Sequence, residues 1–271
     1  MRFYILTIFP EIVKGYWEQG ILSKAADNGL LTVETIDLRN FSRNKYRKID
    51  KPIYGAGRGM LFEAGPLSDA VDSVKSGDPS VKTVFLTPSG KKFDNRVAKE
   101  LAKENSLLLI AARYEGIDER FIRTKVDYEI SVGDYVLTGG ELPAMAVADA
   151  VSRFLPGAIK DESVSDESFE NGLLEYGHYT EPAVFDGLEV PEVLRSGDHR
   201  AVAEYRFYES LKKTYFNRPD LFEKWMPELR ASESGNKLTR LKKENKEWEK
   251  LLKYIEKISK EWKNVGRNKQ E

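Results

Sequence analysis

The sequence predicts an α/β protein whose sheet is at least partly parallel, followed by a smaller helical domain. Strand-like apolar runs alternate with helical periodicity from Arg2 to Phe154. The opening strand, helix and strand form a βαβ unit, which requires a parallel pair. A third observation separates the domains: from Lys160 to Glu167 the chain reads Lys-Asp-Glu-Ser-Val-Ser-Asp-Glu, a linker by composition.

Arg2 to Phe9 is apolar, with β-branched and aromatic members, and is closed by Pro10, so it reads as a buried strand. Ile12, Tyr16, Ile21, Leu22 and Ala25 recur at helical spacing, which predicts a helix from Glu11 to Asn28 ending at Gly29. Leu30 to Asp37 alternates as a second strand. A basic loop, Arg39 to Lys51, leads into Tyr54-Gly55-Ala56-Gly57-Arg58-Gly59-Met60. Its third glycine is misplaced for a dinucleotide fingerprint and it follows Pro52 rather than a strand, which rejects that reading. Arg43, Lys45, Arg47, Lys48, Lys51 and Arg58 around Tyr46 and Tyr54 suit either a solvated loop or contacts to phosphates and bases. Further on, Lys82 to Leu86, Leu107 to Ala111 and Val126 to Ile130 are strands, and Phe93 to Asn105 and Ala144 to Phe154 are helices.

Beyond the linker, Leu173 to Arg195 is rich in turns, contains Pro182 and Pro191, and predicts no regular element. Ser196-Gly197-Asp198 reads as the N-cap of a helix over Ala201 to Tyr215 carrying Arg200, Arg206, Lys212 and Lys213. Leu238, Leu241, Trp248, Leu252, Ile255 and Trp262 mark an amphipathic helix from Lys237 to Lys263, whose apolar face packs on its own domain or meets a partner. The organisation predicted is a first domain over residues 1–160, a flexible linker over 161–172, a second domain over 173–235 and a basic helical extension over 236–271.

At 271 residues with 41% apolar content the chain can bury one large or two modest cores. Having no cysteine, it has no disulfide framework, no thiolate nucleophile and no Cys-based zinc site. His178 and His199 are the only histidines and stand in no common cluster, which argues against a histidine metal site. Neither a signal-peptide pattern nor an apolar run of membrane-spanning length is present, so a cytoplasmic protein without a membrane partner is expected. The net charge is −1, but from Lys237 onward there are twelve Lys and Arg against six Glu, compatible with a polyanionic partner.

Three segments share one character. Thr87 to Gly90, Ala112 to Gly116 and Ser131 to Pro143 each follow a strand, and in a parallel sheet such ends gather on one edge, where ligands bind. Gly133, Gly139 and Gly140 let the backbone approach a bound molecule, while Asp134, Tyr135 and Glu141 supply polar groups.

With these residues in hand, the chain resembles the bacterial tRNA (guanine-N1)-methyltransferases, which belong to the SPOUT class. Arg113-Tyr114-Glu115-Gly116-Ile117-Asp118-Glu119-Arg120, Gly133 to Leu137 with Gly139 to Pro143, Ser152-Arg153-Phe154 with Pro156-Gly157, Gly172-Leu173-Leu174 and His178-Tyr179-Thr180 carry the resemblance. It implies a trefoil-knotted parallel-sheet SPOUT domain with a smaller helical C-terminal domain, and a homodimer whose active sites lie between subunits. It also implies S-adenosylmethionine as cofactor, contacted by Leu86, Thr87 and Pro88, by Ala112, Tyr114 and Glu115, by Ser131, Val132, Gly133, Asp134, Tyr135, Val136 and Leu137, and by Gly139, Gly140 and Pro143. The family commonly has glycine where this chain has Ala112; the added methyl narrows the space only slightly, and binding is expected to survive.

The reaction so implied, on the guanosine just 3′ of the anticodon, needs a base for the N1 proton and a donor for charge growing on O6. Arg153 matches the family's arginine and suits the second role. The family's base is a linker aspartate two residues before the phenylalanine that matches Phe169. Ungapped counting places Glu167 there, and a one-residue shift in the shorter linker would place Asp166 there. The second domain and the basic loop are expected to grip the tRNA anticodon stem-loop. The resemblance further suggests that magnesium assists, with no ligand set in the sequence to fix a site.

Overall fold

The computed structural model describes residues 1–55, 59–158, 168–169 and 171–231, with side chains throughout except at 21 and 226–231. It divides the chain into two compact units, Met1–Asp161 and Glu162–Glu271.

The first unit is a five-stranded parallel sheet in the order β2-β1-β6-β5-β7. Its strands are β1 (Arg2–Thr7), β2 (Thr32–Asp37), β5 (Lys82–Lys92), β6 (Ser106–Ile110) and β7 (Tyr128–Ser131). A parallel sheet needs both faces covered, and the strands alternate accordingly. Phe3, Ile5, Val84, Leu107 and Leu109 enter one core with Val13, Trp17, Val97 and Val147. Leu6, Phe85, Leu108 and Ile110 enter another with Leu67, Val71 and Phe121. The covering helices are α1 (Pro10–Trp17), α2 (Gly20–Asp27), α3 (Ala64–Gly77), α4 (Asn95–Leu101), α5 (Glu119–Lys125) and α6 (Glu141–Ser152). A separate hairpin pairs β3 (Asp50–Pro52) with β4 (Met60–Phe62).

Several elements differ from the sequence reading. The single helix expected over Glu11 to Asn28 is two, because Gln19 is extended and Gly20 takes φ +75°; the step of five from Tyr16 to Ile21 is its mark in the sequence. Helices α3 and α5 and the β3–β4 hairpin fall where no element was predicted. Pairing of β5 with β7 stops at Leu86 and resumes at Lys91, so Thr87 to Gly90 stands out of the ladder without ending the strand.

In the second unit, β8 (Val184–Phe185) and β9 (Leu188–Glu189) form a hairpin in the stretch expected to be irregular. Asp186 and Gly187 both have positive φ, the geometry of a tight hairpin turn that Asp-Gly favours. The expected helix runs over His199–Asn217, with the Asp198 carboxylate accepting from Arg200 and Ala201 N–H groups. Helix Pro219–Ala231 packs on it through a small core of Leu173, Leu211 and Phe222. Phe169 and Ser168 are tied to this unit: the Phe169 N–H donates to the Leu173 carbonyl at 2.8 Å and the Glu175 N–H to the Ser168 hydroxyl at 2.9 Å. The helix expected over Lys237 to Lys263 lies outside the described residues. Among the described residues, no helix is long and apolar enough to cross a membrane.

Candidate active site

At the C-terminal edge of the sheet the ends of β5, β6 and β7 surround a cavity of about 420 Å³. Leu86, Thr87 and Pro88 line it from β5, Ala112, Tyr114 and Glu115 from β6, and Ser131, Val132 and Gly133 from β7. Tyr135, Val136, Leu137, Gly139, Gly140 and Pro143 complete the expected set on the approach to α6. Asp134 is the exception: it is exposed and does not line the cavity.

Local geometry explains why the loops hold these positions. Tyr114 adopts φ +60°, an unfavourable conformation for a bulky residue. Hydrogen bonds on both sides fix it: the Glu115 N–H donates to the Met60 carbonyl at 3.1 Å and the Gly116 N–H to the Arg113 carbonyl at 3.2 Å. The Phe62 ring meets the Tyr114 ring edge-on at 5.6 Å. Gly59 lies so near Glu115 that a β-carbon there would stand 2.4 Å from its Cγ. The β3–β4 hairpin is therefore a clamp on the second loop. In the third loop the Ser131 hydroxyl receives the Gly133 N–H at 3.3 Å, and Gly133 takes φ +152°. The Gly140 N–H donates to the Ala112 carbonyl at 2.7 Å, joining the second loop to the third.

Of the lining residues that sequence reasoning missed, Arg113, Gly116, Ile117, Glu119 and Ile122 fall within or just after the motif that begins at Arg113, which was their available signal, while Phe85, Ile130 and Thr138 adjoin lining residues that were expected. Asp118, beside them, caps α5, and hydrogen bonding from Arg120 holds its carboxyl below the usual range.

Arg153 lies elsewhere. It follows the last turn of α6, its N–H donating to the Asp149 carbonyl at 3.2 Å, and it lines a second cavity of about 610 Å³ with Gly15, Tyr16, Asp149 and Ser152. Tyr16 donates to the Asp149 carboxylate, and that bond, with burial and the neighbouring negative charge, pushes its hydroxyl up to about 12. Within one chain, Arg153 does not line the cavity of the strand-end loops. Glu167 and Asp166 lie outside the described residues. Among the described residues, no group of three or more His, Asp or Glu side chains is placed to hold a metal ion.

Residues 1–224 match the family model of tRNA (guanine-1)-methyltransferase TrmD. The chain belongs to this family. It is 48% identical over 225 residues to the tRNA (guanine-N(1)-)-methyltransferase of Dictyoglomus turgidum, an alignment covering 83% of this chain and 91% of that one. The protein of the same name from Fervidobacterium nodosum is 49% identical over 226 residues, covering 83% and 91%. That from Sulfurihydrogenibium is 42% identical over 254 residues, covering 93% and 98%. The TrmD family match takes in all three strand-end loops, Arg153 and the linker carboxylates.

Proposed function

We propose that this protein is an S-adenosylmethionine-dependent tRNA (guanine-N1)-methyltransferase acting in the cytoplasm on the guanosine immediately 3′ of the anticodon. The observation that carries the reading is the gathering of three strand-end loops around one cavity in a chain that belongs to this family. Residues 1–160 would be the catalytic domain and 173–235 the tRNA-binding domain.

The cavity suits the cofactor. Apolar walls from Leu86, Ile117 and Leu137 alternate with backbone groups of the glycine-containing loops. When bound, S-adenosylmethionine supplies an electrophilic methyl group on a sulfonium. The described residues offer no ligand set for magnesium.

Guanine N1 holds its proton at neutral pH, so the chain must remove it. A linker carboxylate, Glu167 or Asp166, would accept that proton, and the Arg153 guanidinium would hydrogen-bond O6 as charge grows there. A base on the linker fits a site completed by tRNA, which would make catalysis wait for the correct substrate.

Arg153 and the strand-end cavity lie on different parts of one chain, which favours a homodimer with active sites between subunits. Exposed Phe9, Ile12, Tyr16 and Leu142 offer apolar surface for such an interface. The close crossing of Gly140 over Ala111 and Ala112 supports the trefoil knot. For the tRNA grip, Arg43 and Arg47 are already paired with Asp69 and Asp37, which weakens their role as phosphate ligands. Exposed Lys45, Lys48 and Lys51 keep the loop's basic character. In the second unit, Arg206 stands over the Tyr176 ring at 4.8 Å and Arg200 is 3.6 Å from Glu204.

The test is to incubate the protein with labelled S-adenosylmethionine and an unmodified tRNA transcript carrying guanosines at the last anticodon position and just 3′ of it, then map the product. Methyl on N1 of the 3′ guanosine is the expected result. Cofactor binding without transfer to that nucleotide would overturn the assigned target.

A further inference from the structure

Glu141 opens α6 and is only 2% exposed, so its carboxylate depends on partners within the protein. Its Oε1 accepts from the Thr7 hydroxyl at 2.8 Å, and Arg113 Nε stands 3.2 Å from both carboxylate oxygens. A terminal Arg113 nitrogen lies 3.1 Å from Oε2. The Arg113 guanidinium covers the Phe9 ring at 4.4 Å, and the Phe9 N–H donates back to the Thr7 hydroxyl at 2.9 Å. Four residues thus form a closed circuit linking the end of β1, the loop after β6 and the first turn of α6. Gly139 threads beside it: a β-carbon there would stand 2.5 Å from Glu141 Oε2 and 2.7 Å from Arg113 Nε.

We propose that Glu141 is a positioning residue for cofactor binding, acting through Arg113 and Thr7; this rests on the cavity being the S-adenosylmethionine site. A buried carboxylate is tolerated only when its partners satisfy it, and here both partners belong to other segments. Arg113 lines the cavity on the second loop, and Glu141 follows the Gly139–Gly140 segment that lines it on the third. The carboxylate therefore sets the separation of two cavity walls. The Thr7 hydroxyl orients the carboxylate and holds the backbone under Phe9, so the aromatic base of the Arg113 plane is fixed by the same group.

The experiment is calorimetric S-adenosylmethionine binding and steady-state kinetics on the full chain, comparing wild type with Glu141→Gln, Thr7→Val, Thr7→Ser and, as an ion-pair control away from the cavity, Lys125→Ala. Glu141→Gln keeps shape and one acceptor but loses the charge facing Arg113. It is expected to raise Kd and KM for S-adenosylmethionine by about 10- to 100-fold, the scale of a misplaced binding wall, with KM for tRNA unchanged. Thr7→Val is expected to weaken binding, Thr7→Ser to retain it, and Lys125→Ala to leave it unchanged. A purely structural role would instead lower the active fraction, and so kcat, with KM for S-adenosylmethionine unmoved in every variant, which overturns the proposal. Wild-type protein that fails to bind S-adenosylmethionine would overturn the cofactor reading and this proposal with it. Wild-type binding matched by Glu141→Gln and Thr7→Val would overturn this proposal alone.

Discussion

Gly140 and Ala111 are in backbone contact, so close that a β-carbon on Gly140 would stand 2.6 Å from the Ala111 Cα and 2.8 Å from the Ala112 N. Gly140 has φ −83° and ψ −3°, which other residues adopt readily. Space rather than conformation therefore demands glycine here. Gly140→Ala is expected to destabilise the protein by about 1 to 3 kcal/mol through overpacking, since the obstructing atoms are backbone. Thermal denaturation reads this, and a matched loss of S-adenosylmethionine affinity would place the damage at the crossing of the two loops.

Arg153→Ala is expected to lower kcat/KM by about 10²- to 10³-fold, the usual consequence of removing a donor from a developing oxyanion. Cofactor affinity should be unchanged, because the role proposed for Arg153 is toward guanine O6 and not toward the cofactor. Arg153→Lys should recover little, as an ammonium lacks the planar fork that hydrogen-bonds a base edge. Kinetics and calorimetry on the same preparations decide it; a loss of cofactor binding would argue against the assignment.

Between Glu167 and Asp166, one substitution should abolish most turnover and the other should not. Glu167→Gln and Asp166→Asn, assayed separately, are expected to differ, with the sensitive site losing about 10²- to 10⁴-fold in kcat and its acid limb in the pH–rate profile. If neither variant loses activity, the base lies outside this pair.

Acid stability should depend on Asp78. Its burial raises the carboxyl's pKa, but the hydroxyls of Ser106 and Ser80 and the charge of Arg2, 3.4 Å away, outweigh that and hold it below its ordinary 3.8. A folded value below the unfolded one means stability that is present above 3.8 and is lost as pH falls through the lowered folded value. Asp78→Asn is therefore expected to lower the melting temperature at neutral pH and to flatten its decline in acid. Parallel melting curves for the two proteins, followed down to acid pH, would contradict this.

Much of the cavity was legible because its signals are local. Gly133, Gly139 and Gly140 occur at a strand end before an apolar helix, and the motif starting at Arg113 follows a five-residue apolar strand, so composition and order alone put these loops on one sheet edge. Asp134 stands outside the cavity lining because neighbours in a loop project in different directions, and sequence does not give a loop's path.

What the sequence by itself determined is the parallel α/β core and the three loops at its strand ends. Only the tertiary structure decided that Arg153 faces a different cavity from the loops, that the β3–β4 hairpin clamps Glu115, and that Thr7 reaches Glu141 across 134 positions. The physical reason is that periodicity and motif report a residue's own backbone and nearest neighbours. A buried carboxylate's partners are chosen by which segments the fold brings to within hydrogen-bonding distance, and that depends on the path of the whole chain.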